Sequence, residues 1–192
     1  MAARPLLEVI ICSTRPGRRG AAVAQWVDAV AREHGGFDVE LVDLAAVNLP
    51  VFDEPNHPML ATYVHEHTKA WSATVARADA FVFVMPEYNH SFNAALKNAL
   101  DYLNREWAYK AVGLVSYGGV AAGTRAAQAI KPVLGALGTH VVVESINIPS
   151  FTTFINDDEV FEPAPGLKEA TIAMLDSVAR WTSALESLRA KR

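Results

Sequence analysis

Short apolar runs alternate with longer stretches of helical periodicity along almost the whole chain, and this alternation limits the fold more than any other feature. Leu6 to Cys12 (LLEVIIC) is β-branched and nearly continuous, as in a strand covered on both faces. Val23, Trp26, Val27 and Val30 then form one helical stripe, which Gly35-Gly36 ends, and Phe37 to Val42 (FDVELV) alternates like a strand. Beyond a proline-rich stretch at 49–58, a helix is expected from about Tyr63 to Arg77 and a buried strand at Ala80 to Met85 (AFVFVM). A helix from Ser91 to Leu103 and a strand at Ala111 to Val115 follow. Next come a helix carrying Ile130, Val133, Leu134 and Leu137, and a strand at His140 to Val143. Leu167, Met174, Val178, Trp181, Leu185 and Leu188 mark a last long helix. Such an order predicts one α/β domain over 1–192, with a five-stranded parallel sheet between two helical layers. The expected strand order is 2-1-3-4-5, and ligands then bind beyond the C-terminal strand ends, near the switch between the first and third strands. The turns after the first, third and fourth strands should therefore line any site.

With 192 residues, 51% of them apolar and 20% charged, the chain can bury one shared core. A net charge of −4 leaves no basic footprint for nucleic acid. After Met1-Ala2-Ala3-Arg4-Pro5, the first apolar run is too short to span a membrane, and three arginines follow it rather than a cleavage site. It reads as a strand. The single cysteine, Cys12, excludes an internal disulfide and fits a reducing, cytoplasmic setting. At the end of a buried strand it is expected to be an inert thiol.

The first turn, Cys12-Ser13-Thr14-Arg15-Pro16-Gly17-Arg18-Arg19-Gly20, places two hydroxyls, two glycines and three guanidiniums before a helix N-terminus. Three arginines oppose the helix dipole unless an anion sits among them, so the loop points to a bound phosphate, with Arg15 or Arg18 as a charged donor. There is neither a G-x-x-x-x-G-K-[ST] loop nor a G-x-G-x-x-G fingerprint, and Asp43 alone does not make a ribose site. A phosphate monoester fits better than a pyrophosphate. The second turn, Pro86-Glu87-Tyr88-Asn89-His90-Ser91, offers an aromatic face and an amide. It equally describes a plain strand-to-helix connection with Ser91 as N-cap. The third, Ser116-Tyr117-Gly118-Gly119-Val120-Ala121-Ala122-Gly123, allows close approach to a flat ligand at its two adjacent glycines or is simply a flexible loop. His65 and His67, two apart on the expected helix, would face about 200° apart and share no metal. The loop at 49–58 either covers a pocket or is a stiff connection.

These blocks resemble the NAD(P)H-dependent FMN reductases, a group with the flavodoxin fold that includes quinone, chromate and azo reductases. The specific parts are S-T-R-P-G-R at 13–18, P-E-Y-N-H-S at 86–91 with A-L-K-N-A-L-D at 95–101, and S-Y-G-G at 116–119. The resemblance implies that Ser13, Thr14, Arg15 and Arg18 hold the FMN phosphate. It implies that Pro86, Glu87, Tyr88, Asn89 and His90 border the isoalloxazine and ribityl chain, with Ser116, Tyr117, Gly118 and Gly119 along the other ring edge. Gly20 falls where many relatives have a serine or asparagine that reaches the phosphate, and Cys12 where they often have glycine.

The implied reaction uses NADPH or NADH as hydride donor and passes electrons through FMN to a small acceptor such as a flavin, quinone, azo dye or chromate, in ping-pong order. No side-chain nucleophile is expected, and no partner nucleic acid or membrane. Relatives commonly form homodimers or homotetramers. The rival readings are an electron-transfer flavodoxin without NAD(P)H activity and a flavin-free regulatory α/β domain. The arginine-rich loop and mild net charge count against the first.

Overall fold

The computed structural model describes residues 4–190. The expected lead-in Met1-Ala2-Ala3 and residues 191–192 lie outside the described residues. Strand β1 (Leu6–Ile11) is followed by α1 (Gly20–His34), β2 (Asp38–Asp43), the short α2 (Leu44–Val47) and α3 (Glu66–Arg77). Then come β3 (Ala80–Tyr88), β4 (Ser91–Phe92), α4 (Ala94–Asp101), β5 (Ala111–Tyr117), α5 (Thr124–Ala136), β6 (His140–Ile148) and α6 (Leu167–Arg189). The main sheet runs β2-β1-β3-β5-β6 and all four of its pairings are parallel. This is the expected 2-1-3-4-5 order with one addition, the two-residue β4, which pairs antiparallel with the end of β3.

Side-chain alternation along the strands builds two cores. Leu7, Val9, Ala80, Val82 and Val84 face one way, against Val23 and Val27 of α1 and Met174 and Val178 of α6. Ile10, Phe81, Phe83 and Leu114 face the other way, against Trp71 of α3, Leu96 and Leu100 of α4 and Ile130 of α5. The sheet is thus the middle of three layers, and every helix buries its apolar stripe on it. Trp107 is fully buried against Trp71, Phe81 and Phe83.

Several elements run further than the sequence implied. β3 continues to Tyr88 because Met85 and Pro86 still pair with Ser116 and Tyr117 of β5. β6 continues to Ile148 beyond a register shift opposite Val112 and Leu114. Within the loop at 49–58, Pro50, Phe52 and Asp53 are bonded to α4 and the residue that ends it. Asn98 accepts from Phe52 N at 2.9 Å and donates to Pro50 O at 2.7 Å, while Tyr102 donates to Asp53 at 2.9 Å.

Candidate functional site

At the C-terminal edge of the sheet the three expected turns meet around a cavity of about 520 Å³, within the usual range for small-molecule sites. Ser13, Arg15, Arg18, Arg19 and Gly20 form one wall, Pro86, Glu87 and Tyr88 a second, and Tyr117, Gly118 and Gly119 a third. Ser150, Phe151, Thr152 and Thr153 close the remaining side. Sequence reasoning missed this last group. Its signal was the hydroxyl-rich stretch after Pro149, at the end of the one strand whose exit turn was not considered.

The first loop leaves the sheet where Cys12 N donates to Val84 O at 3.0 Å. Arg15-Pro16-Gly17-Arg18 is a type II turn: Arg18 N donates to Arg15 O at 3.1 Å, and Gly17 takes the positive φ of 69° required at its third position. Helix α1 then starts with no side chain capping it and no acidic residue in its first turn, which leaves its N–H groups to an anion. The three arginines divide their work. Arg18 pairs with Asp43, whose other oxygen caps α2 through Ala45 N at 2.9 Å. Arg19 donates to Ile155 O at 3.2 Å. The Arg15 side chain has no ion pair or hydrogen bond among the described residues and remains exposed at the rim. Beneath it Ser13 is buried, and its Oγ has no hydrogen-bond partner. Thr14 faces a neighbouring depression of about 250 Å³ with Leu44, Asn48 and Asn98, outside the main cavity.

The second turn is a β-hairpin. Glu87 pairs with Phe92 and Tyr88 with Ser91, and Asn89 and His90 make the two-residue tip, with φ of 49° and 68°, the left-handed pair of a type I′ turn. Ser91 therefore lies in β4 and is not the helix cap expected of it. Asn93 stands at that position and donates through Nδ2 to Cys12 O at 2.6 Å, tying α4 to the first loop. Glu87 is clamped to α5: its Oε2 accepts from Arg125 N at 3.2 Å and its Oε1 from Arg125 Nε at 2.5 Å. Arg125 also meets His90 Nε2 at 2.9 Å, so Asn89 and His90 sit at the exposed tip rather than on the cavity wall. Tyr88 is the residue of this turn that presents a partly exposed ring to the cavity.

In the third turn Ser116 lies behind the wall, donating to Ala122 O at 3.0 Å and accepting from Asn147 Nδ2 at 2.6 Å. Gly119 has open space where a side chain would stand, but a Cβ on Gly123 (φ 77°) would lie 2.7 Å from both Ser116 Cβ and Tyr117 N. Gly123, the last residue of the turn and not one of the adjacent pair on which the sequence argument rested, is thus the glycine on which this turn depends. The carbonyls of Gly118 and Gly119 accept from Phe151 N at 3.4 Å and Ser150 N at 3.1 Å, joining the third turn to the fourth wall. Tyr117 is buried with its hydroxyl unpartnered. Burial pushes its phenol well above the usual range and keeps the O–H protonated, against a smaller opposing effect of the nearby Ser13 hydroxyl.

Three titratable residues singled out by the sequence, Cys12, His65 and His67, lie outside the cavity. Burial raises the Cys12 thiol well above its ordinary value, consistent with an inert side chain. His65 and His67 do not diverge as expected, because the helix starts only at Glu66 and His65 precedes it in extended conformation. Their rings stack 5.1 Å apart, with His67 bonded to Asp53 at 3.0 Å. No group of three or more His, Cys, Asp or Glu among the described residues is placed to hold a metal.

An FMN fits this donor set. A buried orphan serine hydroxyl, a free guanidinium and an uncapped helix start are gathered at one end of the cavity, and a tyrosine ring and glycine backbone at the other. The comparisons agree. Residues 5–153 match the family described as NADPH-dependent FMN reductase. An NAD(P)H-dependent FMN reductase of Schizosaccharomyces pombe is 44% identical over 139 residues, covering 71% of this chain and 69% of the relative. An NAD(P)H:quinone oxidoreductase of Solanum tuberosum is 32% identical over 162 residues, covering 81% and 78%. Among solved structures, a flavoenzyme NAD(P)H:(acceptor) oxidoreductase from Paracoccus denitrificans has a TM-score of 0.74 at 20% identity, covering 94% of this chain and 98% of that one. A flavodoxin from Streptococcus pneumoniae, at a TM-score of 0.58 and 13% identity, shares the fold over 91% of this chain and 98% of its own. The chain belongs to the NADPH-dependent FMN reductase family, and is an FMN- and NAD(P)H-using oxidoreductase with the flavodoxin-like fold.

Proposed function

We propose that the protein takes hydride from NADPH or NADH at this cavity and delivers electrons to small, flat acceptors such as quinones, azo compounds or free flavins. The observation that carries this reading is the cavity's division into an anion-binding end and a flat, half-open end. Ser13, Arg15, Arg18 and the start of α1 would hold the FMN phosphate. Pro86, Glu87, Tyr88, Gly118 and Gly119 would border the ring, with Phe151 beside them. Bound there, FMN supplies two-electron chemistry, accepting hydride from one substrate and returning it to the next. The protein's part is to orient the ring, through the Glu87–Arg125 clamp and the bonds from Ser150 and Phe151 to Gly118 and Gly119, and to leave space over it. One open face serving donor and acceptor in turn makes the kinetics ping-pong.

Relatives named quinone oxidoreductase and FMN-dependent NADPH-azoreductase support a broad acceptor range. In the same reading the chain acts as one flavodoxin-like unit over 1–192 in the cytoplasm, where the unpaired Cys12 stays reduced. It assembles as a homodimer or homotetramer. The exposed Val51, Phe52, Met59, Leu60 and Val64, all on the segment between α2 and α3, support self-association.

The decisive measurement supplies FMN-loaded protein with NADPH and a soluble quinone or azo dye, without any partner protein. NADPH oxidation with parallel double-reciprocal lines is expected. Unoxidised NADPH, with chemically reduced protein still passing electrons onward, would instead identify an electron-transfer flavodoxin.

A further inference from the structure

The missing side chain at Gly20 is not an empty place. A Cβ built there would stand 1.8 Å from the Tyr117 hydroxyl oxygen and 2.3 Å from the adjoining ring carbon. The phenol of β5 therefore lies directly against the first residue of α1. No flexible neighbour can give way, because Tyr117 is only 3% exposed and its ring packs on Phe151 at a centroid distance of 4.5 Å. At the same spot two hydroxyls, Ser13 Oγ and Tyr117 OH, are buried without hydrogen-bond partners. The two are close enough to interact, but a hydroxyl pair that shares one hydrogen still leaves the other hydrogen without an acceptor. A buried hydroxyl without an acceptor is destabilising, so a pair of them beside an uncapped helix start and a free arginine side chain points to a ligand that accepts from them. Along the flat end of the cavity such an acceptor would have to be a ring edge. At the start of α1 it is an anion.

We propose that Tyr117 is a phosphate-binding residue. Its hydroxyl crosses from the third turn to donate to the FMN phosphate beside Ser13, in the space that Gly20 leaves. This rests on FMN being the cofactor, and it moves Tyr117 from the ring edge, where the family resemblance put it, to the other end of the cavity. The two positions then form one unit. A glycine at 20 requires a long side chain from elsewhere to complete the cradle, and a tyrosine at 117 requires a glycine at 20.

The test compares two ligands that differ only in the phosphate. FMN and riboflavin are titrated into apoprotein by quenching of flavin fluorescence, for wild type and Tyr117→Phe. Loss of one hydrogen bond to a charged group should weaken FMN about 10- to 100-fold and leave riboflavin affinity unchanged. The apoprotein of Tyr117→Phe should melt no lower than wild type, since it loses an unpaired hydroxyl and keeps the ring. Equal weakening of both ligands would put Tyr117 at the ring and overturn the proposal, as would unchanged FMN affinity. Failure of wild type itself to bind FMN would overturn the cofactor assignment instead, a distinct outcome. As a second variant, Gly20→Ser should lose FMN affinity more than Gly20→Ser with Tyr117→Ala, because truncating the phenol makes room for the new side chain. If the double variant binds FMN no better than the single one, the steric half of the unit is wrong.

Discussion

Arg15, Arg18 and Arg19 stand within five residues of one another, yet they carry different amounts of binding work. Arg18 already pairs with Asp43 and Arg19 with a carbonyl, so Arg15 is the guanidinium whose full hydrogen-bonding capacity is open to a phosphate, and Arg18 adds only what Asp43 leaves. Arg15→Ala should therefore weaken FMN by about 1.5–3 kcal/mol without moving the urea midpoint of the apoprotein, as fluorescence titration and denaturation would show. Arg18→Ala should move the midpoint as well, because Asp43 loses its partner. Composition and motif revealed that arginines gather here, but not which of them is free. Asp43 lies a whole strand and helix away, and only the parallel pairing of β1 with β2 brings it alongside. The same holds for Gly20 and Tyr117, whose fit depends on two turns meeting across the sheet.

Strands β1, β3 and β5 were legible because both of their faces are buried and their sequences are nearly all apolar. The second half of β6 and the hairpin of β3 and β4 were not, because their residues are half exposed and a turn of Asn89-His90 resembles a loop. Glu8 departs from the apolar rule within β1. It is fully buried with both carboxylate oxygens unpartnered, and its pKa rises to about 7, through burial first and then through Glu40. Its opposing neighbours are Arg77 and Lys110. A carboxyl whose folded pKa exceeds its unfolded value binds more protons when folded, so stability should fall as pH rises from about 4.5 to 7 and then level off. The loss is about 3 kcal/mol at most. Urea midpoints taken across that window should flatten in Glu8→Gln; an unchanged slope would assign the pH dependence to other groups. The hairpin depends on a different contact. Arg125→Leu should leave the sheet intact but speed amide exchange across 86–92, because Glu87 loses the clamp that holds it to α5.

The molecule as a whole stakes much of its stability on the face carrying Trp71 and Trp107. Trp107 touches β3 and α3 through aromatic rings and donates to Leu100 O at 3.2 Å, so Trp107→Ala should cost about 3–5 kcal/mol. That core and the flavin cavity lie on the same sheet, and a ligand that binds only the folded state stabilises all of it. FMN at a hundred times its Kd should add about 2.7 kcal/mol, which calorimetry of wild type and Trp107→Ala would register as similar gains in both. The bond from Arg19 to Ile155, together with those from Ser150 and Phe151 to the third turn, has a temporal consequence. The cradle begins near the start of the chain but is finished by residues made only after every strand of the sheet. A ribosome-bound chain whose exposed part stops before Ser150 should lack the last wall and fail to retain FMN.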